Sequence, residues 1–494
     1  MINERVAHSA VYLVGSRAAL PLLSVLSAVL VARWLRPEDY ALMALGDIFV
    51  VTIGMACELG LGSAIIQFQN VTDTELNTAF WLIVGSVAPA YVALYLAAPF
   101  IARFFASSEL TLLLRVLGLP AMLTVLRLVP ENLLRKQLRL DRLSIAEVIA
   151  ALTAIPLMVV LAWSGAGVWA LVGGNAVTWL VHFLLLFAFS GWRPGWRVGS
   201  KRLAPILRYS GAVLCSRLLW ALYAASDRAI LGRVTGGASL GFFAMASQIA
   251  LKPAERVSLI VNQLAGPLLA DVQGDVQAMR TCLARSLRIV AWITLPMCVG
   301  TLLVAEDAVR VVLTEKWLPA VPVVQVLCIY AGLRSMTALL PPVLMATYRT
   351  NVLVRFNLAM SLVMPLAFFA GAWWAGALGV AAAWTIMHPV GALVLARVTL
   401  HQLQMSWRSV ARELQRPVLA TTLTAIAMSG MSRATSLLGF HPGSRLTVAV
   451  LAGIAAYGAC LWQLAGPELR DVALAWRTVR GQPVEWGDSA RTVS

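Results

Sequence analysis

Roughly fourteen apolar runs of about 20 residues each follow one another along this chain, separated by short breaks. A helix of that length crosses a bilayer core, so the pattern predicts an all-α polytopic membrane protein. Charged residues make up 13% of the chain and mean hydropathy is +0.80, whereas a soluble protein carries roughly 25% charged residues. No stretch between the runs is long enough for a soluble domain. The first run is too long for a cleavable signal, and the second follows almost at once.

Helices are expected near 9–35, 40–66, 79–104, 110–129, 144–164, 167–190, 209–234, 238–268, 286–305, 317–345, 353–374, 376–398, 416–432 and 445–465. Turn signals such as Arg36-Pro37-Glu38-Asp39, Gly165-Ala166-Gly167 and Gly236-Gly237 lie between them. The net charge of +16 would also suit nucleic acid or anionic lipid. Its distribution fits membrane topology better, with no nucleic-acid partner. Arg135, Lys136, Arg139 and Arg142 share one loop, and Arg193, Arg197, Lys201, Arg202 and Arg208 the next on that side. Arg280, Arg285 and Arg288, then Arg349 and Arg355, then Arg408, Arg412 and Arg416 continue the series, while the alternate loops are short and nearly neutral. The positive-inside rule then places both termini in the cytoplasm of a bacterial-type inner membrane. The six cysteines have no paired spacing and read as small core residues, with no metal site expected. The tail 466–494 is polar; a surface helix at Asp471–Val479 and plain disorder are both open.

Within this pattern a Ser-Arg pair recurs inside an apolar run, at Ser16-Arg17 and Ser216-Arg217. Each run reaches another arginine at the same distance, Arg33 and Arg233, and then turns. The second run is six helices on from the first, so both cross in one direction and the repeats are parallel. Such repeats build secondary transporters with the cargo site at their interface. The expected organisation is an N-terminal lobe with its linker at 1–208, a C-terminal lobe at 209–415, two extra helices at 416–465 and a cytoplasmic tail. A central cavity separates the lobes.

Arginine within a membrane helix is costly and faces a wet interior or a partner. Arg17 and Glu58 each lie about 20 residues from the Pro37 turn, so at 1.5 Å per residue they reach one level. Arg217 lies as far from the Gly236-Gly237 turn. Lys252, Glu255 and Arg256 follow that turn and share one helix face. Together these place a cationic surplus, joined by Arg334, around the cavity. A phosphate-bearing cargo suits it, because arginine offers phosphate a bidentate fork. The competing reading makes Arg17–Glu58 and Glu255–Arg256 internal ion pairs that fix packing, and a third lets Arg17 snorkel to the headgroups. Asp47 and Asp227 either carry a coupling proton or sodium ion or pair with arginines such as Arg33 and Arg228. Arg334 shares its helix with Gly332 and Pro341-Pro342, which points to a broken, cavity-lining helix. His182 and His388 read as core histidines. No catalytic constellation or cofactor-binding motif stands out.

Several segments resemble Wzx-type polysaccharide flippases. They are Arg36-Pro37-Glu38-Asp39-Tyr40-Ala41-Leu42 and Glu58-Leu59-Gly60-Leu61-Gly62-Ser63-Ala64-Ile65-Ile66-Gln67, then Phe80-Trp81 after a Thr/Glu-rich loop. In the second half Asp227-Arg228-Ala229-Ile230-Leu231-Gly232-Arg233, Leu240-Gly241-Phe242-Phe243-Ala244-Met245-Ala246 and Gly266-Pro267-Leu268-Leu269-Ala270-Asp271-Val272-Gln273-Gly274-Asp275 continue the resemblance, as does Leu333-Arg334-Ser335. The resemblance covers essentially the whole chain and implies membership of the MOP (multidrug, oligosaccharidyl-lipid, polysaccharide) superfamily of exporters. It implies a non-enzymatic flippase that moves an undecaprenyl-diphosphate-linked oligosaccharide to the periplasmic leaflet by alternating access. The product would feed exopolysaccharide, capsule or O-antigen synthesis, with a polymerase and chain-length or export proteins as partners. Arg17, Arg217, Lys252, Arg256 and Arg334 would hold the diphosphate. The rivals are a multidrug antiporter of the same superfamily and a membrane polysaccharide polymerase or ligase.

Overall fold

The computed structural model describes residues 27–59, 61, 62, 65, 72–137, 139–199, 221, 223–272, 274–347 and 349–464, with the side chains of 140, 260, 263–268, 270, 271 and 350 outside the description. Among the described residues every regular element is helical. The end of α1 (27–32) leads into α2 (Pro37–Cys57), α3 (Asp73–Phe104), α4 (Glu109–Ala121), the single turn α5 (Leu123–Leu126) and α6 (Leu128–Lys136). The hairpin α7 (Leu140–Trp163) and α8 (Val168–Ser190) closes the first half. The second half holds α9 (223–235), α10 (Gly237–Asp271), α11 (Val276–Ala308), α12 (Val321–Thr337) and α13 (Leu340–Ala346). The run Thr350–Gln402 is two helices, α14 and α15, divided by non-helical backbone at Ala375 and Gly376. Helices α16 (Trp407–Leu437) and α17 (Pro442–Leu464) pack on each other and on α11. Nine of the described helical stretches are long and apolar enough to cross a membrane.

Several helices outrun their apolar segments. Helix α3 starts at a reciprocal capping box, in which Glu75 N donates to Thr72 Oγ1 at 3.3 Å and Thr72 N to Glu75 Oε2 at 2.9 Å. Helix α11 begins ten residues before its apolar run, at Asp275, whose Oδ1 accepts from Gln277 N and Ala278 N at 2.9 and 3.0 Å. The apolar run records only what lipid or core covers, whereas the hydrogen-bond ladder continues until a cap or breaker ends it. Other helices stop short. Helix α2 ends at Cys57, followed by Leu59 at φ 51°. The run expected at 110–129 divides into α4, α5 and α6, and that at 317–345 breaks between α12 and α13 before Pro341-Pro342.

The two halves meet tightly at the end of the bundle where α2 begins. A Cβ on Gly241 would lie 1.9 Å from the Pro37 carbonyl oxygen, so only glycine lets α10 and α2 approach this closely. Beside this seam a π-helical turn, Val309–Leu313, and a 3₁₀ turn, Glu315–Ala320, reach back to α1. Arg33 donates to the carbonyls of Val312 and Val311 at 3.0 and 3.1 Å, and Lys316 Nζ donates to the Arg33 carbonyl at 2.7 Å. Trp317, fully buried, donates to the Ala32 carbonyl at 2.9 Å and meets Tyr40 edge-on at 5.3 Å. Truncating Trp317 to alanine removes ring packing and one cross-seam hydrogen bond together. The expected cost is about 3–5 kcal/mol, read as a fall in the unfolding midpoint in detergent.

Candidate functional site: a cavity between the two halves

A cavity of about 1030 Å³ lies between the halves. From the first half α1, α2, α7 and α8 line it, with Asp47, Glu147, Asn175 and His182 among their contributions. From the second half it takes Tyr223, Asp227 and Arg228 of α9, Lys252, Glu255 and Arg256 of α10, and Arg334 of α12. Helices α3, α4, α11, α16 and α17 supply no described lining residue. Helices from both halves thus converge on a shared interior.

The charged lining residues fall into two groups. The first is already paired. Arg334 Nη1 donates to Glu255 Oε1 at 2.6 Å, and its guanidinium lies 5.9 Å from the Tyr330 ring centre. Asp227, 7% exposed, accepts from Trp384 Nε1 at 3.1 Å and from Arg228 N at 2.6 Å, with Arg228 Nε at 3.6 Å. Trp384 in turn stacks on Tyr330 at 5.0 Å and tilts against Phe368 at 4.9 Å, so an aromatic wall backs this group. Asp227 anchors that wall. Asp227→Ala should leave a buried indole N–H without an acceptor and cost about 1–3 kcal/mol. Asp227→Asn keeps an acceptor and should cost far less, a contrast that thermal unfolding of the two variants measures.

The second group faces across the cavity. Lys252 and Arg256 sit one turn apart on the same face of α10, exposed, with no close ion pair among the described residues. Asp47 of α2 lies within electrostatic range of Arg228 and, more weakly, Lys252, and Glu147 of α7 within range of Glu131, Arg135, Arg127 and, most weakly, Arg256. Carboxylates of the first half and cations of the second therefore share one cavity. The lining arginines and lysine, Arg228, Lys252, Arg256 and Arg334, are matched among described residues by Asp47, Glu147, Asp227 and Glu255.

Of the expected belt, Lys252, Arg256 and Arg334 are brought together here, and Glu255, Asp47 and Asp227 join them. Arg17 and Arg217 lie outside the described residues. Glu58 sits at the end of α2, beside Gly62 and the Asn132 side chain, away from the lining. Glu255 pairs with Arg334 and not with its neighbour Arg256, because adjacent residues on a helix diverge by about 100°. Arg33 likewise pairs with backbone carbonyls and with neither Asp47 nor Asp227. Glu147 is the lining residue that the sequence reading overlooked. A lone carboxylate inside the apolar stretch 144–164 was the available signal, by the same rule applied to Asp47. His182 contacts Arg127, which also reaches Glu131 at 3.7 Å, and His388 Nε2 is 3.1 Å from Thr337 Oγ1. Among the described residues no group of three or more His, Cys, Asp or Glu side chains converges as a metal site.

A family model described as polysaccharide biosynthesis protein matches residues 30–322, more than half of the chain. The chain belongs to this family. Proteins similar to it include the teichuronic acid biosynthesis protein TuaB of Bacillus subtilis (strain 168), 25% identical over 81% of this chain and 83% of its own length. The lipopolysaccharide biosynthesis protein WzxC of Escherichia coli (strain K12) is 26% identical over 72% of this chain and 73% of its own. Among solved structures, the lipid II flippase MurJ in an inward closed conformation superposes with a TM-score of 0.71, at 14% identity, over 94% of this chain and all of that one. An inward-facing multidrug resistance MATE transporter of the MOP superfamily superposes with a TM-score of 0.60, at 15% identity, over 79% of this chain and 98% of that one. The fold expected for a MOP flippase is thus the fold the family member adopts, a multi-pass helical membrane protein.

Proposed function

We propose that this family member flips an undecaprenyl-diphosphate-linked oligosaccharide from the cytoplasmic to the periplasmic leaflet of the inner membrane. The observation that carries the reading is the exposed Lys252–Arg256 turn of α10, facing a cavity that two halves of one chain enclose. Two cations one turn apart match the spacing of two linked phosphates, and arginine adds a bidentate donor. Arg17 and Arg217, outside the described residues, are assigned to the same belt from their sequence positions alone, and Arg334 is already held by Glu255. The lobes are 1–208 and 209–415, and helices 416–465 pack outside the cavity wall. The arginine-rich loops face the cytoplasm, as do both termini, so the Pro37–Gly241 seam is the periplasmic gate and this conformation has that gate shut. Opening it while the opposite end closes is the alternating-access step. Asp47, in range of Arg228 and Lys252 but with no close ion pair among the described residues, is the carboxylate available to a coupling proton or sodium ion; Asp227 is committed to Trp384 and Arg228. Polymerase and export proteins would receive the product.

A second reading rests on Asp47 and Glu147, because carboxylates facing a cavity also suit a cationic cargo, as in a multidrug antiporter. Deletion of the gene followed by mass spectrometry of extracted lipid-linked oligosaccharides separates the two. The flippase reading expects complete repeat units on undecaprenyl diphosphate to accumulate while polymer is lost. Normal lipid-linked pools with altered drug tolerance would replace it with the antiporter.

A further inference from the structure

Between α8 and residue 199 the chain runs through a tandem Gly-Trp-Arg, Gly191-Trp192-Arg193 and Gly195-Trp196-Arg197, with Pro194 between the triplets. This segment has no regular structure, yet it is pinned along its length. The buried Asn77 and Thr78, in the first turns of α3, reach across to it. Asn77 Oδ1 accepts from Gly195 N at 2.9 Å, and Asn77 Nδ2 donates to the Arg197 carbonyl at 3.4 Å. Thr78 Oγ1 accepts from Gly199 N at 2.9 Å, and Trp81 Nε1 donates to the Gly195 carbonyl at 2.9 Å. A Cβ on Gly195 would lie 2.9 Å from Asn77 Nδ2, so a side chain there would shift the Asn77 amide from the position that makes these bonds.

The two tryptophans take different roles. Trp192 packs inward, 5.6 Å from Phe80 and 6.1 Å from Phe187. Trp196 stacks flat on Trp81 at 4.6 Å, and the rest of it stays 82% exposed. Arg193 and Arg197 flank it, both exposed and with no ion pair among the described residues. The site lies at the end of the bundle where Arg142 Nη1 caps the Phe189 carbonyl of α8 at 2.6 Å, the arginine-rich end. Buried side chains that hold an irregular segment rigid while a large aromatic ring stays bare indicate a surface shaped for something outside the chain. An exposed indole with exposed arginines one residue after it and three residues before it in the chain fits the bilayer interface, with the ring at headgroup depth and the cations on phosphate.

We propose that the Arg193-Trp196-Arg197 surface is a preformed binding site for anionic phospholipid headgroups, which fixes the height and tilt of α3 and α8 in the membrane. The occupant is lipid because the charge is positive, the aromatic ring is amphipathic and the segment adjoins the ends of two membrane-spanning helices. The inference is independent of the cargo in the central cavity.

Quenching by brominated lipids tests it on the full chain in nanodiscs. The emission lost on Trp196→Phe isolates the signal of this one ring. That difference signal should be quenched by brominated phosphatidylglycerol at lower mole fraction than by brominated phosphatidylcholine. Arg193→Gln and Arg197→Gln should each weaken the preference about fivefold, the scale of one basic residue at an anionic surface. Arg433→Gln, on α16, should leave it unchanged. Equal quenching by both lipids would reduce the site to an uncharged interfacial tryptophan and overturn the proposal. No quenching by either would place the surface in water or against another protein, and would overturn it too. The substituted residues are exposed, so loss of fold is not expected, and an unchanged unfolding midpoint of each variant verifies that.

Discussion

Replacing Lys252 and Arg256 together by glutamine is expected to slow translocation about 100-fold or more. That factor follows from hydrogen bonds to charged groups, worth ~1.5–3 kcal/mol each, because two of them would no longer hold the cargo. The fold should survive, because both side chains are exposed and neither closes an ion pair among the described residues. The measurement is the rate at which lipid-linked repeat units become accessible at the outer face of spheroplasts. Glu255→Gln sharpens the interpretation. It releases Arg334 from its 2.6 Å partner, but the two side chains are 37% and 45% exposed, so the unfolding midpoint should move little. If the double variant translocates at the normal rate, α10 does not hold the diphosphate, and the cavity's charges serve packing alone.

Substituting Gly241 by valine is expected to push the molecule out of the conformation described here. The added Cβ meets the Pro37 carbonyl oxygen at 1.9 Å, and backbone on both sides leaves no side chain to swing away. Overpacking a tight contact costs about 1–3 kcal/mol, which moves a two-state equilibrium by roughly five- to 150-fold. Spin labels at Glu38 and Gly237, neighbours across the seam, should show a new, longer distance in the valine variant, in a background with the native cysteines replaced. Translocation should slow as well, because a transporter held at one gate cannot complete its cycle. An unchanged distance distribution would mean that the seam is not the moving gate. The Arg33 and Lys316 contacts with the π-helical turn would then be static bracing.

The class of the protein could be read from its residues. Apolar runs of bilayer length leave little but a helical bundle, and turn signals such as Arg36-Pro37 and Gly236-Gly237 fall where α2 and α10 start. The face shared by Lys252 and Arg256 was also legible, because i and i+4 positions align on any helix. A chain's own periodicity fixes which residues point the same way, and that much needs no partner helix.

What periodicity does not fix is the rotation and height of one helix against another. Glu255 pairs with Arg334, 79 residues away, because α10 and α12 meet with those faces together. Arg33 finds carbonyls of Val311 and Val312 because a π-helical turn presents them across the seam. Glu147, alone in its apolar stretch, becomes a cavity residue only through the way α7 packs against the bundle. Local sequence therefore determined that charges would stand inside a membrane bundle. Tertiary packing decided which of them cancel and which remain open to a cargo, since ion pairing depends on interhelical distances of a few ångströms.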